Sequence, residues 1–444
     1  MRQDGTVRAA FIAVTTLFFV WGFITSLIDP LVAAVKGIFT LSNTEAQLSA
    51  FAFFIAYGLV SFPAAALIAR IRAVPAILLA LATMALACLI MLGAANLAIY
   101  GLVLAGLFVL ASGITILQVA ANPLAAALGP PEGSHFRLTL SQTFNSFGTF
   151  IGPYLGAVLF LEGVEVTEGT ALTPEVRAEA LAGIDRAYFW ICGLIALLLA
   201  FFWWSRRTVT AAAPEPAPLR GIGAMIADAV SSRWALLGGA AIFLYVGAEV
   251  AIGTQMALFL NSDAIWGASD AVFAVPLLGW AMAGDGVPGV SLQEAGKAVA
   301  FYWGGAMVGR AVGSALLARF NAARLLALFT AVACAMCLYA VIVGGVSAGF
   351  VALAIGFFNS IMFPVIFTLT LERSSASVEA TSGLLCTAIV GGAFVPLLVG
   401  VFSDIAGYVL ALVVPAACYG VLCLFAVAAG RSRAVKAVEA PVLH

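Results

Sequence analysis

The sequence predicts an all-α membrane protein in which twelve transmembrane helices form two pseudo-symmetric halves of six. Of its 444 residues, 64% are hydrophobic and only 9% are charged, whereas a soluble domain carries about 25% charged residues. Many apolar runs are long enough for a helix to cross the ~30 Å hydrocarbon core. The runs are also too long for the ~10-residue alternating strands of a membrane barrel, so the spans are predicted to be helices.

The twelve predicted spans, numbered 1 to 12 along the chain, have these ranges: 10–34, 47–69, 74–94, 98–122, 138–161, 187–205, 234–260, 297–318, 324–345, 348–371, 380–402 and 407–430. No small-residue cleavage site follows the first run, so we expect a retained helix and not a signal peptide. The segment 264–284 is apolar but contains Asp270 and Pro276. We expect it to lie at the interface or beside span 7, and not to be a thirteenth span.

The two halves are predicted as 1–204 and 234–444, joined by a linker at 205–233 whose Ala/Pro run cannot bury a core. Short motifs recur in both halves. Span 5 reads GTFIGPYLG and span 11 reads GGAFVPLLVG, while spans 2 and 8 end in AAALIAR and GSALLAR. Two related halves with a substrate site between them near the midplane are what the major facilitator architecture predicts.

Lysine and arginine predict the orientation. Fifteen of the 20 basic residues lie on the side that carries the N-terminus, four lie on the opposite side, and Arg310 lies within span 8. Because basic residues concentrate on the cytoplasmic side, both termini are predicted to be cytoplasmic. We call the opposite side the predicted outer side.

Two carboxylates are isolated within apolar spans, Asp29 in span 1 and Glu249 in span 7. An acid at the bilayer centre costs about 2.5–3.5 kcal/mol on insertion scales, and such residues commonly mark substrate or ion paths. Each lies towards the outer end of the first span of its half, so we predict that both couple a cation to transport. Pro30 should weaken the helix beside Asp29, and Gly247 and Gly253 are expected to loosen span 7 around Glu249. The alternative for either acid is a purely structural hydrogen bond.

Five amides within the spans are candidate sugar ligands, because an amide both donates and accepts hydrogen bonds and so suits hydroxyl groups. They are Gln118 and Asn122 in span 4, Gln142 and Asn145 in span 5, and Asn359 in span 10, next to the break expected at Pro364. The alternative is that these buried amides join helices to one another.

Aromatic and small residues give further expectations. Trp303 and Phe363, with Tyr302, are candidate stacking faces for a sugar ring, although packing also explains them. The G-x-x-x-G pairs Gly152/Gly156 and Gly309/Gly313 are explained by close helix packing. Arg310 could pair with an acid or lie near a cytoplasmic gate.

Other classes of site are not supported by the sequence. The net charge is −1, which gives no indication of a nucleic-acid partner. Two histidines are too few for a zinc site, and the seven cysteines all lie in spans, so we predict neither a metal centre nor a disulfide framework. No nucleophile–base pair or phosphate loop is present. We therefore predict no enzyme activity and no cofactor other than a coupling ion.

The chain resembles the fucose–glucose–galactose family of the major facilitator superfamily over nearly its whole length. The resemblance depends on these segments: LID at 27–29, LQVAANPLAAALGP at 117–130, HFRLTLSQTFNSFG at 135–148, YVGAE at 245–249 and SIMFPVIFTL at 360–369. The segment 117–148 is the most specific of them. The resemblance implies a bacterial cytoplasmic-membrane protein and a monomer.

The resemblance also implies roles for single residues. In the fucose branch, an aspartate on helix 1 and a glutamate on helix 4 serve proton coupling and sugar binding. Asp29 matches that aspartate, but Gln118 replaces the glutamate and cannot titrate. Glu249 stands where the fucose branch has a glutamine, and the combination of Gln118 with Glu249 is similar to the glucose/galactose branch, which includes N-acetylglucosamine porters. Asn145 matches an asparagine in sugar contact.

We therefore expect a secondary transporter that imports a neutral hexose by alternating access, coupled to H⁺. Three alternatives within transport stay open: coupling to Na⁺, N-acetylglucosamine or fucose as the substrate, and passive facilitation. A sugar receptor without flux is a further alternative, but the chain carries no signalling domain. Glu249 is expected either to titrate or to accept a hydrogen bond from the sugar.

Overall fold

The computed structural model of the chain describes residues 2–129, 134–161, 164, 173–213, 221–282, 288–317 and 319–433. Part of the predicted linker (214–220), most of the loop between spans 5 and 6, Pro130 of the 117–130 motif and the residues from 434 onwards lie outside this description.

All twelve predicted spans are helical in the described residues. Span 1 consists of two helices, Arg2–Ser26 and Ile28–Phe39. Spans 2 to 6 are Asn43–Ile71, Ala73–Leu97, Tyr100–Ala127, Ser134–Phe160 and Pro174–Ala212. Span 7 is Arg233–Asn261, preceded by the short helix Ile222–Ser231. Spans 8 and 9 are Leu292–Leu317 and Ala322–Val343. Span 10 is Gly345–Asn359 with Met362–Arg373, span 11 is Val378–Thr387 with Gly391–Ala411, and span 12 is Val413–Arg431.

The apolar segment after span 7 does not form a thirteenth span in the described residues. It contains a 3₁₀ turn at Ala271–Ala274 and the seven-residue helix Pro276–Met282. Seven helical residues extend only about 10 Å, far less than the hydrocarbon core. Ten of the described helices are long and apolar enough to cross a membrane. Spans 5 and 8 are 27 and 26 residues long but carry more polar side chains.

Two spans break four residues before a proline. The first helix of span 1 ends at Ser26, and Pro30 follows four residues later. Span 10 likewise breaks at Ser360, four residues before Pro364. A proline ring clashes with the carbonyl four residues earlier and offers that carbonyl no N–H. The breaks therefore lie where the prolines require them, and they place Asp29 and Asn359 beside interrupted backbone.

Span 7 contradicts the expectation of a loosened helix, because it runs unbroken through Glu249. Its glycines serve close packing instead. A Cβ on Gly247 would clash with Val395 of span 11, and one on Gly253 would lie 3.2 Å from both carboxylate oxygens of Asp29. The absence of side chains at these positions lets neighbouring spans approach span 7.

Packing supports the internal symmetry. A Cβ on Gly148 of span 5 would clash with the Phe19 carbonyl of span 1, and one on the matching Gly391 of span 11 would clash with the Phe243 carbonyl of span 7. The fifth span of each half thus packs against the first span of that half through the same glycine. Gly152 and Gly156 extend this contact to Ser26 and Pro30, while Gly309 and Gly313 pack span 8 on span 10.

The two halves meet along two pairs of spans. Span 2 packs against span 11 and span 5 against span 8, and each pair is the symmetry counterpart of the other. Spans 1 and 7 also contact each other between these pairs. The interface between the halves therefore brings the first span of each half, and both acids, towards the centre of the bundle.

Candidate functional site

Asp29 lies at the interface between the halves. It is the second residue of the helix that resumes after the break in span 1, and only 2% of its surface is exposed. The indole N–H of Trp303 in span 8 donates to Asp29 Oδ2 over 2.6 Å. The carboxylate also packs against Gly253 of span 7. A side chain of the N-terminal half is thus enclosed by two spans of the C-terminal half.

Glu249 lies one helical turn before Gly253 on span 7, so it shares the face that contacts Asp29. It is only partly buried. The Tyr245 hydroxyl, one turn earlier, donates to Glu249 Oε1 over 2.7 Å. The two acids interact electrostatically. The structure therefore brings together the two carboxylates that the sequence singled out.

Arg310 is the cationic side chain of this region. It interacts electrostatically with Glu249, and its guanidinium donates to the Ser146 hydroxyl of span 5. Although it lies within span 8, its side chain is exposed. The structure therefore favours pairing with an acid among the alternatives for Arg310, and it adds a bond between the halves.

Asn359 belongs to a buried polar cluster in the C-terminal half. It is fully buried, its amide nitrogen donates to the Tyr302 hydroxyl over 2.7 Å, and its amide oxygen accepts from the Tyr419 hydroxyl over 2.8 Å. The Tyr302 hydroxyl in turn donates to the Glu249 carbonyl over 3.2 Å. These bonds join spans 7, 8, 10 and 12, so in this state the Asn359 amide is occupied by protein partners.

The four amides of the N-terminal half are all partly exposed. Gln118 Nε2 donates to the Tyr57 hydroxyl over 3.1 Å, and Gln142 Nε2 donates to Asn122 Oδ1 over 3.3 Å. The first bond lies at the long end of the usual range of about 2.7–3.2 Å for an N–H donor, and the second lies just beyond it. Partial exposure and long hydrogen bonds leave these amides able to exchange partners.

Asn145 is the amide nearest to span 1. Its side-chain nitrogen donates to the Phe18 carbonyl over 3.1 Å, and the side chain lies against Gly22, where a Cβ would leave no room for it. Asn145 thus joins spans 5 and 1 in this structure.

The candidate stacking residues lie in different settings. Trp303 is partly buried, and its ring meets Tyr302 edge-on at 5.1 Å between centroids. Phe363 is also partly buried and lies 6.4 Å from the Tyr245 ring and 6.0 Å from the Phe367 ring. Sugar stacking on either stays a prediction, but Trp303 has in addition the bond to Asp29.

The halves are joined at the predicted outer end. Asp404 of span 11 accepts from the backbone N–H groups of Asn43 and Thr44 over 2.7 and 2.8 Å, and from the Thr44 hydroxyl over 2.5 Å. Lys36 of span 1 donates to the Tyr408 hydroxyl over 2.7 Å. These contacts join the two halves at the predicted outer side.

Sequence reasoning did not predict which residues bond to the two acids, nor the other polar contacts between spans around them. Tyr245 could have been found, because it lies four residues before Glu249 on one helix face. Trp303 and Asp29 are separated by 274 residues, and nothing in their local sequence indicates that they meet. The same holds for Tyr419, Ser146 and Asp404.

The chain is similar to known membrane transporters. The model of the Major Facilitator Superfamily matches residues 10–382. The chain is 38% identical over 428 residues to a Brucella abortus protein named glucose/galactose transporter, covering 95% of this chain and 94% of that one. It is 30% identical over 442 residues to the L-fucose-proton symporter of Escherichia coli, covering 96% and 94%. A crystal structure of the transporter FucP in the outward conformation superposes with a TM-score of 0.66 at 27% identity, covering 96% of this chain and 100% of that one.

Proposed function

Because the chain belongs to the Major Facilitator Superfamily, and within it to the fucose–glucose–galactose family, we propose that it imports a neutral hexose together with a proton. It is a membrane transporter and not an enzyme. The relatives named for glucose and galactose support a hexose, and the relative named as a proton symporter supports the coupling ion. The proposed location is a bacterial cytoplasmic membrane, with both termini inside and the protein acting as a monomer.

The observation that carries the proposal is the position of Asp29 between the halves. An ionised carboxylate taken out of water is costly unless it is paired. Asp29 is enclosed on one side by Trp303 and on the other by Gly253, both in the opposite half. A movement of the halves therefore changes the environment of this acid. In return, a proton on Asp29 changes which arrangement of the halves is favoured, and this reciprocity is the requirement for coupling.

The surroundings of Asp29 favour a proton over sodium. The N–H group of Trp303 occupies one face of the carboxylate, and an N–H donor repels a cation. A sodium site would need several oxygen ligands around the ion, as other hard cations do. Asp29 is proposed as the main coupling acid, with Glu249 as a second titrating group or a sugar acceptor.

The partly exposed amides are proposed to bind the sugar. Gln118, Gln142, Asn122 and Asn145 offer donors and acceptors on spans 4 and 5. Asn359 is proposed to support Tyr302 in this state, and it would reach the sugar only if its cluster with Tyr302 and Tyr419 rearranges. The halves 1–204 and 234–444 are proposed to rock around this centre, with the present arrangement, in which they are joined at the predicted outer side, as one end of the motion.

The test is sugar uptake into proteoliposomes under separate ion gradients. A pH gradient without sodium should drive accumulation of glucose or galactose above equilibrium, and a sodium gradient at equal pH should not. Accumulation under the sodium gradient alone would replace the proton by Na⁺. Exchange of sugar without accumulation under either gradient would show a passive facilitator. Counterflow with glucose, galactose, N-acetylglucosamine and L-fucose would identify the substrate.

A further inference from the structure

Trp303 donates a hydrogen bond from the C-terminal half to the proposed coupling acid. Its indole N–H donates to Asp29 Oδ2 over 2.6 Å. An indole nitrogen is a donor only, so the carboxylate must be the acceptor. The bond joins span 8 to span 1 and therefore crosses the interface between the halves.

Both ends of this bond are firmly held in their own halves. The adjacent Tyr302 is fully buried and is bonded to Asn359 and to the Glu249 carbonyl. Span 1 is held on span 5 near Asp29, because Gly152 and Gly156 admit Ser26 and Pro30. Each end of the bond is thus anchored in its own half by contacts other than the bond itself.

The strength of the bond depends on the charge of Asp29. A hydrogen bond to an ionised acceptor is roughly twice as strong as one between neutral groups. Among the described residues, Glu249 of span 7 is the charged group that acts on Asp29, and Arg310 of span 8 acts on Glu249. Protonation of Asp29 thus weakens the contact between spans 1 and 8, and deprotonation strengthens it.

We propose that Trp303 is a positioning residue for coupling, which transmits the protonation state of Asp29 to the relative position of the two halves. This inference rests on the proposed proton-coupled function. It assigns to Trp303 a role different from stacking on the sugar. The ionised form of Asp29 holds spans 1 and 8 together as in the present structure, and the protonated form releases them.

The test compares W303F with W204F, because phenylalanine keeps an aromatic ring but removes the N–H donor. Trp204 is 87% exposed on span 6 and serves as the matched control. Relative to the wild type, the ratio of proton-driven accumulation to counterflow should fall by about tenfold in W303F, the factor that corresponds to the loss of one hydrogen bond. W204F should keep both activities. Undiminished accumulation by W303F would overturn the proposal.

A second measurement keeps the proposal open to refutation if W303F also loses counterflow. In that case W303F, D29N and the double variant W303F/D29N are compared for thermal stability in detergent, a property that does not depend on transport. If Trp303 acts through its bond to Asp29, the stability lost in the double variant is smaller than the sum of the two single losses. Additive losses would assign Trp303 to packing or sugar binding and would overturn the inference.

Tryptophan fluorescence separates a failure of this inference from a failure of the proposed function. The chain has eight tryptophans. A change in emission with pH should be present in the wild type and in W204F, and absent in both W303F and D29N. This readout requires no sugar transport. If the wild type fails to concentrate sugar, the proposed function fails, while the fluorescence still decides whether Trp303 senses Asp29.

Discussion

Removing the Asp404 carboxylate should open the outer side of the protein. Asp404 accepts three hydrogen bonds from the first turn of span 2, from the N–H groups of Asn43 and Thr44 and from the Thr44 hydroxyl. The carboxylate lies in one half and the helix end in the other. It therefore stabilises the N-terminus of a helix only while the outer side is closed.

The size of the effect follows from helix capping. Loss of a capping side chain costs typically about 1 kcal/mol, and loss of a negative charge at an exposed helix N-terminus costs about 0.3–1 kcal/mol more. Asp404 is exposed, so the lower part of that range applies. D404A should shift the balance between outer-closed and outer-open states by about 1–2 kcal/mol, which is a change in their ratio of about 5–30-fold.

The assay measures the distance between the outer ends of the two halves. Spin labels at Leu97 and Ile405 report on this distance, because these residues are 63% and 80% exposed. The distance is measured by pulsed electron paramagnetic resonance in a variant that lacks the native cysteines. D404A should populate a longer distance. The matched control is D185A, because Asp185 accepts from Asn96 over 2.7 Å within one half and should leave the distance unchanged. An unaltered distance distribution in D404A would refute the reasoning.

Two further predictions concern the polar residues around the centre. Q118A should weaken sugar binding by about 1 kcal/mol, the typical contribution of one hydrogen bond. The pH dependence of uptake should stay unchanged, because an amide does not titrate. Calorimetry that finds an unaltered affinity would remove Gln118 from the binding site. Y419F should lower the stability of the detergent-solubilised protein by about 1–3 kcal/mol, because it leaves the buried side-chain oxygen of Asn359 without its donor. An unchanged melting temperature would contradict the structural role of the cluster formed by Asn359, Tyr302 and Tyr419.

The helices and their breaks could largely be predicted from the sequence. Apolar length alone gave the twelve spans, and Pro30 and Pro364 indicated where two of them break. Gly247 and Gly253 were misread, because a glycine in a helix can either interrupt it or let a neighbour approach. Only the packing of Val395 and Asp29 against these positions distinguishes the two.

The candidate site could be predicted in part. The cost of burying an acid indicated Asp29 and Glu249, and pseudo-symmetry indicated that they lie in equivalent spans. The partner of Asp29 could not be predicted, since Trp303 meets it across the interface between the halves. The same holds for Asp404, which meets the first turn of span 2 across that interface. Local sequence carries no signal for such contacts. The hydrogen bonds of the Asn359 amide to Tyr302 and Tyr419 could not be predicted either, because these tyrosines lie in two other spans.

The most direct test of the central claim is the proton movement that accompanies sugar entry. In weakly buffered proteoliposomes without an imposed gradient, addition of the transported hexose to the wild type should make the external medium more alkaline. D29N should exchange sugar in counterflow but produce no such signal, because the acid that carries the proton is absent. Sugar-dependent alkalinisation of equal size in D29N would contradict the assignment of Asp29 as the coupling acid.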